Sequence, residues 1–116
     1  MKTLSDETLS KVAVFLKSIA EPTRLKILRS IHDEEKTVSE IMAETECTQS
    51  NVSKHLAILA ASHIVTFRKE GTSIYYKITD PNITAICDTV CRSIAVRIRH
   101  EKVMLQDIKR GIRSSA

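Results

Sequence analysis

Aromatic side chains are nearly missing from this sequence: it has no Trp, two Phe and two Tyr, 3% of the whole. Any core it forms must therefore be aliphatic. Gly and Pro number two each among 116 residues. So few turn-formers exclude a many-turned all-β architecture and leave a mostly helical one. No apolar run approaches the ~20 residues of a membrane span, and no signal-peptide apolar segment opens the sequence. The expectation is a cytoplasmic protein with no membrane partner. Three cysteines are an odd number and form no secreted disulfide framework, which fits reduced thiols. Also missing are a Cys-x-x-Cys pair, a Gly-rich nucleotide loop and any Ser/His/Asp constellation. These absences set aside an enzyme, a small thiol oxidoreductase included. The length suits a single domain, residues 1–116, with a modest core.

What is present begins with charge. The net charge is +4, yet residues 1–96 hold 12 Lys+Arg and 12 Asp+Glu. The whole surplus lies in 97–116, where Arg97, Arg99, Lys102, Lys109, Arg110 and Arg113 face only Glu101 and Asp107. Residues 33–46 are acidic, with Asp33, Glu34, Glu35, Glu40, Glu44 and Glu46, whereas 48–79 carry Lys54, Arg68, Lys69 and Lys77 against Glu70. A polyanion would be tolerated best by the second of these stretches.

In chain order, Ser5–Ile19 has Val12, Phe15, Leu16 and Ile19 on one stripe, with Asp6 and Glu7 placed for the helix dipole. Glu21-Pro22-Thr23 breaks it and starts a second helix, Pro22 suiting the first position. Leu25, Ile27, Leu28 and Ile31 carry that helix to about His32, and an acidic loop, 33–36, follows. A third helix is expected over roughly Val38–Thr45, apolar at Val38, Ile41 and Met42.

The fourth helix is the stretch around which the chain is organised. Thr48 is a good N-cap, and Val52, Leu56 and Leu59 recur at i, i+4 and i+7 on one buried face. Gln49, Ser50, Ser53 and Ala57 share the opposite face, with Lys54 beside them. Short polar side chains let a helix sink into a groove. Gln suits base edges; Ser and Lys suit base or phosphate oxygens. Two such helices form a helix-turn-helix, whose second member enters the DNA major groove. On these residues alone, a plain helical hairpin with a solvated face accounts for the pattern equally well.

After Ser62 the period changes from 3.6 to 2. The segments 64–70 and 73–78 alternate at Val65 and Phe67, then at Ile74, Tyr76 and Ile78, around Gly71. This is a β-hairpin with Glu70-Gly71 near its tip. Arg68, Lys69 and Thr72 lie at or near that tip, within reach of phosphates or a minor groove. A hairpin directly behind a helix-turn-helix is a wing, and four helices followed by a hairpin favour DNA binding. A protein-interaction module is the remaining competitor. Thr79 or Asp80 then caps a last helix over about 80–112, with Ile83, Cys87, Val90, Ile94 and Ile98 on a stripe that Leu105, Ile108 and Ile112 continue with a drift. So long a stripe exceeds what one small domain can bury. A second copy packed along the first and last helices is the simplest cover. The fold class expected is mainly α with a β-hairpin wing, in the order α-α-α-α-β-β-α, as a homodimer.

The runs 19–28 (Ile-Ala-Glu-Pro-Thr-Arg-Leu-Lys-Ile-Leu), 48–56 (Thr-Gln-Ser-Asn-Val-Ser-Lys-His-Leu) and 70–76 (Glu-Gly-Thr-Ser-Ile-Tyr-Tyr) together resemble the ArsR/SmtB family over roughly residues 10–100. The resemblance implies a homodimeric winged-helix repressor that leaves its operator when an inducer binds. The operator it implies is double-stranded DNA with an imperfect inverted repeat. It also implies that the fourth helix enters the major groove, the hairpin flanks it, and the first and last helices form the dimer interface. Two sensing sites of that family are not matched. Where a Cys-x-Cys would stand, the chain has Val38-Ser39-Glu40-Ile41. Where a zinc site on the last helix would need Asp-x-His and two later His, it has Asp80-Pro81-Asn82, Ser93 and Val96.

The thiols remain as sensing candidates. Cys47 precedes the Thr48 cap, where a small buried hydrophobe is the first reading and a helix-terminal reactive thiol the second. Cys87 and Cys91, at i and i+4, share one helix face. They are either two small residues in a dimer seam or a site for thiophilic chemistry, binding arsenite or cadmium or reacting with an oxidant or reactive sulfur. If the last helix crosses its copy as the resemblance implies, Cys87 faces Cys87 of the partner subunit and up to four thiols gather near the axis. A winged-helix regulator without metal sensing is the alternative.

Overall fold

The structure, a computed structural model, describes residues 1–115, which fall into two compact units, Met1–Pro81 and the helix from Asn82 onward. The elements in chain order are α1 (Asp6–Ile19), α2 (Pro22–Ser30), β1 (Lys36–Thr37), α3 (Val38–Thr45), α4 (Gln49–Ala61), β2 (Val65–Glu70), β3 (Ser73–Ile78) and α5 (Pro81–Ser115). The chain is thus mainly α with a hairpin wing, as its periodicities require. The α3–turn–α4 pair is the helix-turn-helix. Its turn passes through Glu46, which takes the left-handed conformation at φ 57° as the C-cap of α3.

Each helix in the first unit starts on a side-chain cap. Ser5 accepts from the Thr8 N–H, Glu21 from Arg24, Thr37 from Glu40 and Thr48 from Asn51. At Thr37 the cap is reciprocal, because the Glu40 carboxylate accepts from the Thr37 N–H in return. The end of α4 is equally defined. His63 sits at φ 59°, its N–H donates to the Ala60 carbonyl and the Ile64 N–H donates to that of Leu59. This is a Schellman closure, and it turns the chain straight into β2.

The core is aliphatic. Ile27, Leu28 and Ile31 of α2 and its end, Ile41 of α3, Val52, Leu56 and Leu59 of α4, and Ile64 and Val65 at the wing root are all buried. α4 packs against α2, α3 and β2 and touches α1. Three expected apolar positions lie outside it. Leu25 is exposed because Ile27, Leu28 and Ile31 already take the inward face of α2. On α1 the stripe is buried only at Ile19, with Phe15 half-buried and Val12 and Leu16 open to solvent.

Three further expectations need correction. The acidic loop does not run straight into α3. It ends in β1, which pairs antiparallel with β3 (Lys36↔Tyr76, Thr37↔Tyr75), making a three-stranded sheet in the order β1-β3-β2. Two residues carry no period, so no sequence pattern announces such a strand. α5 does not stop near 112. It passes through Gly111 to Ser115, since one glycine costs a helix only about 1 kcal/mol relative to alanine. Phe67, expected to alternate inward with Val65, is 54% exposed and rests on Tyr76 across the hairpin, ring centroids 5.7 Å apart.

Two polar clamps hold the helices that carry the reading head. Lys36 Nζ, buried, donates to the Glu44 carboxylate at 2.6 Å and to the Ser30 carbonyl, and Ser30 Oγ donates to the same carboxylate at 2.7 Å. This joins the end of α2 to β1 and α3. Arg24 forms the second clamp. Its Nε donates to His55 Nδ1 at 3.1 Å and its Nη1 to the carbonyls of Lys17 and Ser18, each at 3.3 Å. The end of α1, the start of α2 and the middle of α4 are thereby tied through one planar side chain.

The Lys36 bond, followed by the Ser30 bond, holds the Glu44 carboxyl below its ordinary value of 4.5. A depressed folded value means that the stabilisation is complete above 4.5 and disappears as pH falls through the lower folded value. In acid denaturation followed by circular dichroism, the stability gap between the parent and Glu44→Gln should shrink steadily below pH 4.5. A gap that is constant with pH excludes the clamp. Arg24→Ala should cost about 1–3 kcal/mol in denaturant unfolding, since His55 and two carbonyls lose a donor. Arg24→Lys should not restore it, because an ammonium lacks the fork that reaches all three acceptors. Full stability in the lysine variant would show that a point charge suffices.

Candidate nucleic-acid interface

The buried stripe of α4 decides which face of that helix is left outside. With Val52, Leu56 and Leu59 inside, Thr48, Gln49, Ser50, Ser53, Lys54 and Ala57 are all exposed. Successive residues of an α-helix are set about 100° apart, so 49, 50, 53, 54 and 57 occupy one arc of about 140°. No acidic or large apolar side chain lies on that arc. Thr48 is partly committed: its hydroxyl oxygen caps Asn51 at 3.2 Å, which leaves its O–H as a donor. The first turn of α4 also presents backbone N–H groups and the positive end of the helix dipole, both favourable to phosphate.

The wing is regular. β2 and β3 pair from Val65↔Ile78 to Glu70↔Ser73, and the turn itself is Gly71-Thr72, with Gly71 at φ +62°. Glu70 is thus the last strand residue, one position before the tip. Lys69 and Thr72 are exposed beside that turn. Arg68 is placed differently. It stands on the strand opposite Tyr75, with its guanidinium 4.7 Å from that ring centroid. Its Nε donates to Glu35 at 3.0 Å and its Nη1 to Glu70 at 2.7 Å. The two carboxylates push the Arg68 pKa up, and the Arg68 bond holds Glu35 below the ordinary glutamate value. Arg68 therefore pins the acidic loop to the wing, a role its position in the sequence does not reveal. Glu35 is 33 residues away from it, and the capping signature Thr37-x-x-Glu40 is the sole local signal in that region.

The three thiols are free. Cys47 is half-buried in the turn between α3 and α4, its Sγ 3.5 Å from the Thr45 carbonyl, to which it donates. Cys87 and Cys91 are one turn apart on α5, with Cys87 half-buried and Cys91 exposed. Burial, then the neighbouring Cys91 and Asp88, pushes the Cys87 thiol up from its ordinary value of 9.0. Among the described residues no three His, Cys, Asp or Glu side chains of one chain converge as a metal site. Among them, too, no helix is long and apolar enough to cross a membrane.

Comparison with known proteins agrees with this geometry. The family model described as "Bacterial regulatory protein, arsR family" matches residues 21–66, the segment from the start of α2 into β2. The transcriptional activator HlyU of Vibrio cholerae is 34% identical over 83 residues, which cover 72% of this chain and 77% of that protein. Its structure matches with a TM-score of 0.68 over 76% of this chain and 96% of that one. The probable mercury resistance operon repressor of Streptomyces lividans is 35% identical over 71 residues, 61% of this chain and 57% of that protein. The homodimeric winged helix-turn-helix DNA-binding domain Mb0332 (fragment 1–100) of Mycobacterium bovis is 28% identical, with a TM-score of 0.73 over 86% of this chain and 95% of that one. With an exposed reading helix, a wing beside it and these relatives, the chain belongs to the ArsR family and is a winged helix-turn-helix DNA-binding transcriptional regulator, not an enzyme.

Proposed function

We propose that this regulator is a homodimeric repressor that releases its operator when Cys87 and Cys91 engage a thiophilic inducer. The observation that carries the DNA half is the exposed, acid-free arc of Gln49, Ser50, Ser53 and Lys54 on α4. Gln49 and Ser53 read base edges, while Ser50, Lys54 and the Thr48 hydroxyl meet phosphate or base oxygens. Lys69 and Thr72 of the wing touch the flanks. Arg68 joins them by exchanging Glu35 or Glu70 for phosphate, a trade of one charge-assisted bond for another. Two reading helices related by a dyad call for an imperfect inverted repeat with half-sites about one helical turn apart, ~10–10.5 base pairs.

The homodimer is supported by what α1 and α5 leave uncovered. Val12 and Leu16 on the first, and Val90, Ile94, Ile98, Leu105, Ile108 and Ile112 on the second, are exposed in the single chain. A stripe of exposed apolar side chains along a helix marks an interaction surface. The relative from Mycobacterium bovis is described as homodimeric.

The sensor half rests on two thiols one turn apart on that uncovered helix. Among the described residues no third ligand of the same chain joins this pair, so three- or four-coordinate binding of arsenite or cadmium draws its remaining thiols from the partner. The relative from Streptomyces lividans is named for mercury resistance, a thiophilic metal. An oxidant would instead take two electrons from two thiols of different chains and link them as a disulfide, releasing both protons; a sulfane-sulfur donor would link them as a polysulfide, one of its sulfur atoms inserted between the two thiol sulfurs and another leaving as hydrogen sulfide with the two protons. Either event strains the helix pair and opposes DNA binding by one reciprocal coupling energy. Cys47 belongs to the reading head and is secondary.

Gln49→Ala and Ser53→Ala should each lose about 1–3 kcal/mol of preference for the operator over other duplexes. Lys54→Ala should weaken all sequences alike and lower the salt slope by about 0.9. Unchanged operator affinity in folded variants would remove α4 from the interface. For the sensor, Cys87→Ser and Cys91→Ser should abolish DNA release by arsenite, cadmium or persulfide, whereas Cys47→Ser should respond like the parent. Because the Cys87 proton must leave and its value is raised, metal-driven release should strengthen as pH rises toward 9. Release that is unaltered in the first two variants places the sensor elsewhere.

A further inference from the structure

The charge surplus of the chain is not spread around α5. Taking Arg99 as zero and about 100° per residue, Arg92 and Arg110 fall at +20°, Arg113 at −40°, Lys102 at −60° and Lys109 at −80°. Between residues 92 and 113 the other members of this arc are Ala95 and Gln106. Six cations therefore share a face about 100° wide and ~32 Å long, and no acid interrupts it. All six side chains are exposed. Glu101 lies near the opposite side, at about 200°, and Asp107 near 80°, outside the arc. The apolar seam of Ile94, Ile98, Leu105, Ile108 and Ile112 spans about 180–260°, so it neighbours the basic face and is separate from it.

Like charges stacked at i, i+3 and i+7 repel and destabilise a lone helix. We propose that this face is a second DNA-contacting surface, which tracks phosphates without reading bases. The face is about as long as one turn of duplex, ~34–36 Å, and DNA offers one charge per ~1.7 Å of its axis. A phosphate-binding surface on the same chain as the reading head engages at a high effective concentration, so it adds affinity without a second association event. Duplex DNA fits better than an anionic membrane. A membrane helix inserts its apolar face into the lipid boundary, and here that face is the proposed dimer seam. Once the seam is covered, the basic face remains outward. The inference rests on the DNA-binding, dimeric reading above and adds a phosphate-tracking face that the family's reading head does not include.

The test is a full-length quadruple variant, Arg99→Gln, Lys102→Gln, Lys109→Gln and Arg113→Gln, with Gln chosen to keep helix propensity. Affinity is measured from 50 to 300 mM salt on duplexes with and without the operator. The slope of log affinity against log salt should fall by about 0.9 for each phosphate that is no longer neutralised, on both duplexes. The ratio of operator to non-operator affinity should stay as in the parent. A charge-conserving variant, Arg99→Lys, Lys102→Arg, Lys109→Arg and Arg113→Lys, should keep the parent slope, which separates charge from folding. A parental slope in the Gln variant overturns the proposal while leaving the reading head intact. So does a variant that keeps its DNA slope but no longer sediments with phosphatidylserine vesicles that the parent binds. A parent protein with no affinity for duplex would overturn this proposal together with the DNA-binding reading.

Discussion

Burial of a single stripe on α4 sets the rest of the first unit. Val52, Leu56 and Leu59 are inside, among Ile27, Leu28, Ile31, Ile41 and Ile64. Each fully buried aliphatic side chain stabilises the fold by roughly 1.5–3 kcal/mol, and a rotation of α4 by one residue would expose several of them at once. The rotation of the helix is therefore fixed by its apolar side. Its polar side is presented as a consequence. A surface presented this way needs no rigid loops, because the core that stabilises the protein also turns Gln49 and Ser53 outward.

With so few aromatic side chains, the aliphatic core is supplemented by polar connections between elements that are distant in sequence. Lys36, Arg24 and Arg68 each span two or more elements and bond to carbonyls, carboxylates or an imidazole. A buried ammonium such as that of Lys36 is costly unless paired, and the paired geometry makes the joint between α2, β1 and α3 specific. Arg68 has a different character. It is half-exposed, so its bonds to Glu35 and Glu70 exchange readily with solvent or with a phosphate. A cation held between two carboxylates at the wing ties the acidic loop to β2.

α5 concentrates what the first unit leaves undone. It carries an uncovered apolar seam, two thiols one turn apart, and a further face of six cations, Arg92, Arg99, Lys102, Lys109, Arg110 and Arg113. On the proposed reading, sensing chemistry placed on a dimerising helix has a physical logic: a ligand that draws two thiols together would move a long rigid rod, and small shifts at its middle would become larger displacements at its ends. The coupling would be reciprocal, so DNA of the right spacing would weaken the inducer by the same factor.

Strong periodicity is what the sequence conveyed by itself. The 3.6-residue stripes of α2, α4 and α5, the switch to period 2 after Ser62, the Thr48 cap and the Pro22 and Pro81 starts marked the helix-turn-helix, the wing and the last helix, because each is a local pattern with a local cause. The same stripes marked which face of α4 stays outside. Tertiary structure alone decided the remainder. β1 is two residues long and exists because β3 offers it an edge. The union of Arg24 with His55 links residues 31 apart, and that of Arg68 with Glu35 links residues 33 apart, and no local pattern encodes either. Phe67 and Leu25 are apolar and in phase, yet both lie outside: Phe67 rests on the Tyr76 ring at the surface of the hairpin, and Ile27, Leu28 and Ile31 already take the inward face of α2. A sequence states which side chains seek burial; the limited volume of a small core decides which of them obtain it.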